Sequence, residues 1–129
     1  MPAFRNMLGA KIHRATVTLA DLHYEGSLTI PPSLLGLADI AENESVHVWN
    51  VTRGTRFETY AIRGLEGSGD ICANGAAAHL AQPGDIIIIA TYVLVAEADV
   101  KSHEPTVVFV DPGNRPVAKR HEIPGPRRA

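Results

Sequence analysis

The residues of this 129-residue chain best placed for uncommon chemistry begin with Glu25-Gly26-Ser27, inside the polar stretch ADLHYEGSLTI. A Gly-Ser pair in a turn is ordinarily a turn and nothing more. If the backbone is held strained, however, the Ser27 hydroxyl can attack the carbonyl carbon of Gly26, and glycine tolerates the dihedral angles this requires. The amide then becomes an ester through the Ser27 oxygen, and the Ser27 amine is freed. Loss of the Cα proton and breakage of the Cβ–O bond would release the upstream chain as a carboxylate and leave dehydroalanine. Water then displaces ammonia, and residue 27 ends as a pyruvoyl group. A chain that does this makes its own electrophile.

Further candidates stand at spacings that group them. Arg56 and Tyr60, in RFETYAI, are four residues apart, so an extended strand projects both to one face. Arg56 can grip a carboxylate through its planar fork. Lys11 and His13, two residues apart, also share a face. Asn74 precedes Gly75, Ala76 and Ala77, small residues that let the backbone come close to a neighbour, while the Asn74 amide both donates and accepts. Several have a plainer alternative: a strand tyrosine that packs, a strand-end arginine paired with a glutamate, or a structural His13; Thr59, on the strand of Arg56 and Tyr60, is a further candidate whose plainer reading is β-propensity. The six histidines are scattered and Cys72 is alone, so no metal site is expected. Cys72 reads as a small hydrophobe rather than a nucleophile, and His79 is assigned no role. Neither a glycine-rich phosphate loop nor a G-x-S-x-G elbow is present.

Those residues need a scaffold, and length and composition indicate one compact domain. The chain is 45% hydrophobic and 20% charged, the balance of a globular protein. The longest apolar run, Ile86 to Ala96, has the length and β-branching of a buried strand, far short of a membrane span. With no secretory-type leader and a single cysteine, a cytoplasmic location is expected. The net charge of −2 hides an asymmetry. Residues 1–110 carry 7 Lys and Arg against 12 Asp and Glu, whereas residues 111–129 carry 5 against 2. An acidic body argues against a nucleic-acid partner, which needs a basic face. The Pro- and Arg-rich segment 112–129 lacks apolar periodicity and is expected to be disordered.

Short β-like segments recur along the chain. Strands are expected from Lys11 to Leu19, Ser45 to Thr52, Arg56 to Arg63, Ile86 to Ala96 and Thr106 to Val110. In the second, Val46, Val48 and Asn50 alternate with His47, Trp49 and Val51; in the third, Phe57, Thr59, Ala61 and Arg63 alternate with Arg56, Glu58, Tyr60 and Ile62. Asp21 to Ser27 reads as a turn, Pro31 to Ile40 as a short helix, Thr52 to Thr55 as a hairpin turn, Gly64 to Asp70 as a loop and Gly75 to Ala81 as one helical turn. Gln82 to Asp85 is a tight turn. Many short strands with one or two short helices fit a small closed β-barrel, which leaves no edge exposed, with a β-sandwich as the alternative.

Four blocks, HRATVTLADLHYEGSLTI, ENESVHVWNVTRGTRFETYAI, NGAAAHLAQPGDIIIIA and PTVVFVD, together resemble the pyruvoyl-dependent aspartate 1-decarboxylases, in order and spacing, over about Met7 to Asp111. The resemblance implies a mainly β fold, a small double-psi β-barrel over residues 1–111, cut after Gly26 into 1–26 and 27–129, and assembled as a homotetramer. It implies a lyase that converts L-aspartate to β-alanine and CO2 through an imine, for pantothenate and coenzyme A synthesis. The cofactor would be the pyruvoyl group made from Ser27, an electron sink for the pair that the departing α-carboxylate leaves. Tyr60 would return the proton to Cα. Arg56, Lys11, Asn74, Gly75, Ala76 and Ala77 would bind substrate. Thr59 would donate to the oxyanion formed as Ser27 attacks, His13 would support the site by orienting or polarising a neighbour, and His23 and Tyr24, next to the cleavage site, would position the scissile bond. Some members of the family need an accessory maturation factor.

Two other readings keep the same fold. One is a non-catalytic barrel whose Gly26-Ser27 is an inert turn and whose chain stays whole. The other is a self-cleaving hydrolase in which Ser27 survives as an N-terminal nucleophile; the pairing of Tyr60 with Arg56 suits decarboxylation better.

Overall fold

The computed structural model describes residues 3–126. Nine strands form one sheet: β1 (Phe4–Thr16), β2 (Leu19–Asp21), β3 (Ser27–Ile30), β4 (Ser45–Asn50), β5 (Arg56–Arg63), β6 (Cys72–Asn74), β7 (Ile86–Ala96), β8 (Thr106–Val110) and β9 (Pro116–Lys119). Their order across the sheet is β2-β6-β3-β5-β4-β7-β1-β8-β9. Among the described residues, one α-helix, α1 (Pro32–Ala38), and two short 3-10 turns, Gly75–His79 and Glu97–Asp99, complete the fold.

That order forces the sheet to curl. Only Val17 and Thr18 separate the end of β1 from the start of β2, yet the two strands lie six neighbour steps apart in the sheet. Laid flat, six steps would span about 29 Å, whereas the chain from Thr16 to Leu19 reaches at most about 10 Å. The β2 edge therefore returns to β1. Backbone bonds from the Thr18 amide to the Ile71 carbonyl and from the Val17 amide to the Asp85 carbonyl, both 2.9 Å, tie the connection down. The result is a small β-barrel; with one sheet in place of two, the sandwich alternative is set aside.

The barrel fills with the aliphatic side chains that the strand alternation turns inward. Ile12, Val17, Leu28, Ile30, Val46, Val48, Ile71, Ile87, Ile89 and Val108 are fully buried and form one cluster with Leu34 of the helix. Val46, Val48 and Asn50 form the inward face of β4, as the alternation predicts. Helix α1 starts on consecutive prolines, which suit a first turn whose amides have no partner anyway, and it stops at Asp39 in the left-handed conformation.

Several elements differ from the sequence expectation. The first strand begins at Phe4 rather than Lys11, because β7 pairs along its whole length, down to Ala96 opposite Phe4. Strands β3, β6 and β9 have no alternation long enough to read. The expectation of disorder over 112–129 is corrected for Pro116–Lys119: β9 closes the open edge of β8, setting Phe109 opposite Ala118 and Val108 opposite Lys119. Backbone pairing makes that strand, and side-chain pattern does not announce it. Proline is tolerated there because β9 is an edge. The Arg120 guanidinium lies 4.0 Å from the Phe109 ring centre, and Glu122 pairs with Lys11 at 2.7 Å. Residues 127–129 lie outside the described residues.

Candidate active site

Strand register brings Ser27 to its neighbours. In the antiparallel pair β3–β6, Ser27 stands opposite Asn74. In the parallel pair β3–β5, Leu28 stands beside Ala61, so one residue back Ser27 lies alongside Tyr60. Ser27 is buried, at 2% exposure, with φ 117. A side chain is rarely held at such an angle, and the local cost is about 1–3 kcal/mol. The strain sits on the residue that begins β3 and follows Gly26.

The Ser27 hydroxyl is held by an amide whose own orientation is fixed. Asn74 Nδ2 donates to Ser27 Oγ at 3.2 Å and to Thr29 Oγ1 at 2.9 Å, while Asn74 Oδ1 accepts from the Cys72 thiol at 3.0 Å. Both amide protons and the carbonyl are used, in a side chain that is 4% exposed. Burial, then the charges of Asp21 and Asp70, pushes the Cys72 thiol up, which keeps it protonated and a donor. The sequence marks neither Cys72 nor Thr29 as functional; the two-residue spacings of Cys72 to Asn74 and of Ser27 to Thr29 are the signal it carries.

From the other side the Tyr60 hydroxyl donates to the Gly26 carbonyl at 3.4 Å. A cavity of about 260 Å³ opens here, lined by Gly26, Ser27, Phe57 to Tyr60, Asn74, Ala76, Ala77 and Leu80. It brings together Ser27, Tyr60, Thr59, Asn74, Ala76 and Ala77 from the sequence candidates. The hydroxyl that reaches the Gly26 carbonyl is that of Tyr60, whereas Thr59 lines the wall. Gly75 touches the Tyr24-to-Gly26 backbone instead, and the Tyr24 side chain is exposed.

Three candidates lie elsewhere in the single chain. Arg56, opposite Trp49 on β4, sits 5.3 Å from the Trp49 ring centre in an adjoining hollow with His47, Phe57 and Glu58. Phe57 and Glu58 are shared between that hollow and the Ser27 cavity. Four residues of strand, about 13 Å, separate Arg56 from Tyr60 along β5. Lys11 and His13 are on β1 between β7 and β8. The Lys11 ammonium is held by Glu122, and His13 packs edge-on against Phe109 with ring centres 5.3 Å apart. Burial, then the charges of Lys11 and Arg14, holds the His13 imidazole below its ordinary value, and its Nδ1 is buried without a partner among the described residues.

Below the Ser27 cavity a polar knot fixes the end of the turn that carries Ala76 and Ala77. Asp85 accepts from Asn50 Nδ2 at 2.9 Å, from Arg53 Nε at 2.6 Å and from the Gln82 amide at 2.9 Å. Asn50 and the Thr55 hydroxyl both donate to the Leu80 carbonyl, at 3.0 and 2.9 Å. Burial alone would push the Asp85 carboxyl up; the bonds from Asn50, Arg53 and Gln82 and the Arg53 charge outweigh it and hold the group below the usual range.

A family model described as aspartate decarboxylase matches residues 3–117. Aspartate 1-decarboxylase of Rhodopirellula baltica is 62% identical over 95% of this chain and 79% of its own. Its counterpart in Myxococcus xanthus is 62% identical over 96% of each chain, and that of Legionella pneumophila strain Paris 64% over 88% of this chain and 85% of its own. A barrel with a strained, buried serine at its wall cavity, matched along nearly its whole length, belongs to the aspartate decarboxylase family.

Proposed function

We propose that this chain is a carboxy-lyase that decarboxylates L-aspartate to β-alanine and CO2, using a pyruvoyl group that it makes from Ser27. Family membership supports the reaction. The observation that carries the self-made cofactor is Ser27 itself: φ 117, buried, and its hydroxyl held by Asn74. The residues present fit a pyruvoyl group. Its carbons would be those of Ser27, and the Asn74 amide already placed on the serine oxygen can donate to a ketone oxygen as readily. Once formed, the group supplies the electron sink for decarboxylation.

The remaining work falls to side chains. Tyr60, on the cavity wall, is the proton donor to the substrate Cα. Asn74 and the backbone of Gly75 to Ala77 hold the substrate end nearest residue 27, and Arg56 takes a carboxylate at the mouth. Thr59 and Tyr24 support the processing of the Gly26–Ser27 bond. Lys11 and His13 do not line the cavity of their own chain, and a second copy that presents its β1 to the cavity would supply them. A homotetramer of double-psi barrels accommodates that. Exposed apolar side chains where β1 and β7 pair, Phe4, Tyr92, Val93 and Leu94, support assembly. No helix among the described residues is long and apolar enough to cross a membrane. The setting proposed is the cytoplasm and pantothenate synthesis.

The test is β-alanine release from L-aspartate by the purified chain after it has been left to process, beside Ser27→Ala. Native protein should produce it and Ser27→Ala should not. A fully cut native chain that releases none would contradict the reading.

A further inference from the structure

Gly75 has the strictest surroundings of any glycine near the cavity, and what surrounds it is the chain's own scissile segment. Its φ is 63, and a methyl group placed on it would lie 3.0 Å from the Gly26 Cα, 3.1 Å from the Tyr24 carbonyl oxygen and 3.2 Å from the Gly26 nitrogen. Backbone on both sides makes the contact, so no flexible side chain can swing away to relieve it. Gly75 follows Asn74, whose amide holds the Ser27 hydroxyl, and it opens the turn whose Ala76 and Ala77 line the cavity.

We infer that Gly75 is a positioning residue for the cleavage: its missing side chain lets Gly26 seat against the start of the 75–79 turn, and that seat sets the distance between the Gly26 carbonyl carbon and the Ser27 oxygen. This rests on the proposal that the chain cuts itself between these residues. The seat acts on the first step, in which the Ser27 Oγ bonds to the Gly26 carbon, the hydroxyl proton ends on the Ser27 nitrogen and the C–N bond breaks. A side chain at position 75 must push Gly26 outward by a few tenths of an ångström, while Asn74 keeps Ser27 in place. The nucleophile and its target then part, and attack geometry is steep in such displacements. The role differs from binding aspartate, because the contact is made in the uncut chain before any substrate site exists.

Gly54 supplies the matched control. Its φ is 76, so alanine there carries a comparable backbone penalty, yet nothing lies within 4 Å of the added methyl. Freshly purified native, Gly75→Ala and Gly54→Ala chains would be followed for cutting by gel and intact mass, with and without hydroxylamine, which opens an ester but spares the amide. Each substitution would also be melted in a Ser27→Ala background, where no chain can cut. The expectation is that native and Gly54→Ala chains cut alike, and that Gly75→Ala cuts about tenfold more slowly or worse. The slow chain should yield no hydroxylamine-released fragment, because the ester is not reached, and should melt like Gly54→Ala. Gly75→Ala cutting at the Gly54→Ala rate would overturn the inference. So would a Gly75→Ala chain that fails to fold while Gly54→Ala folds, since Gly75 would then be a folding residue. A native chain that stays whole under all conditions would remove the self-cleavage proposal itself, a result seen without either variant.

Discussion

The Asn74 side-chain amide donates at once to the hydroxyls of Ser27 and Thr29, at 3.2 and 2.9 Å, while the Cys72 thiol donates to its oxygen. One buried amide thereby fixes the rotamer of Ser27, and the chain segment that carries it, β6, is only three residues long.

Removing that amide should therefore affect chemistry and stability together. Asn74→Ala is expected to slow cleavage about tenfold to a hundredfold, the cost of a serine hydroxyl no longer held in place. It should also destabilise the fold by about 1–3 kcal/mol, because buried hydroxyls lose their partner. Intact mass against time reads the first effect, and urea unfolding of the uncut Ser27→Ala form reads the second. Cleavage at the native rate would show that Asn74 does not orient Ser27.

Tyr60→Phe separates the two reactions. At 3.4 Å the bond from its hydroxyl to the Gly26 carbonyl is too long to polarise that carbonyl strongly. Cleavage should proceed, and β-alanine production by the cut protein should fall about a hundredfold or more with the proton donor gone. Full activity in the phenylalanine variant would remove the donor role.

Lys11 and Ser27 can be tested as parts of one site drawn from two copies. Lys11→Ala chains keep Ser27, and Ser27→Ala chains keep Lys11; co-expression should restore activity to about a quarter of the sites in randomly mixed oligomers. Each variant alone should be nearly inactive. If the mixture is no more active than the separate variants, both residues serve the cavity of one chain.

The Asp85 carboxyl gives a prediction for acid. Its folded pKa is held below the ordinary value, so its contribution to stability is complete above about pH 4 and is lost as pH falls through the lower, folded value. Asp85→Asn should cost about 1–3 kcal/mol at neutral pH, with bonds to Arg53 and the Gln82 amide lost or weakened. The gap in melting temperature from the parent chain should shrink as pH drops below about 4. A gap that is constant with pH would mean that the charge on Asp85 does nothing for the fold.

How much of this could be read in the sequence follows from how each feature is made. Strands β4, β5, β7 and β8 carry their own alternation or apolar runs and were legible to within two residues at their ends. Helix α1 announces itself by Pro31 and Pro32. Strands β3, β6 and β9 are three or four residues long and exist because a neighbour supplies the ladder, so no local pattern marks them. The grouping of Ser27, Tyr60 and Asn74 followed from matched motifs, but what joins them is register: Ser27 opposite Asn74 and Leu28 beside Ala61. The use of Cys72 and Thr29 to fix Asn74 depends on that register, and the two-residue spacings of Cys72 to Asn74 and of Ser27 to Thr29 are its only trace in the sequence. Lys11 paired with Glu122 is further out of reach, because it joins the first strand to a segment whose composition reads as disordered.

Whether Ser27 becomes a pyruvoyl group by cutting the chain before it is decided by intact mass spectrometry of the purified protein after prolonged incubation. The prediction is two chains, 1–26 and 27–129, the larger about 17 Da lighter than a serine-terminated chain of that sequence, and neither forming from Ser27→Ala. Two chains without the deficit would contradict the claim by leaving Ser27 as an ordinary N-terminal serine, and a chain that stays whole even when a maturation factor is supplied would contradict it by showing no cleavage at all.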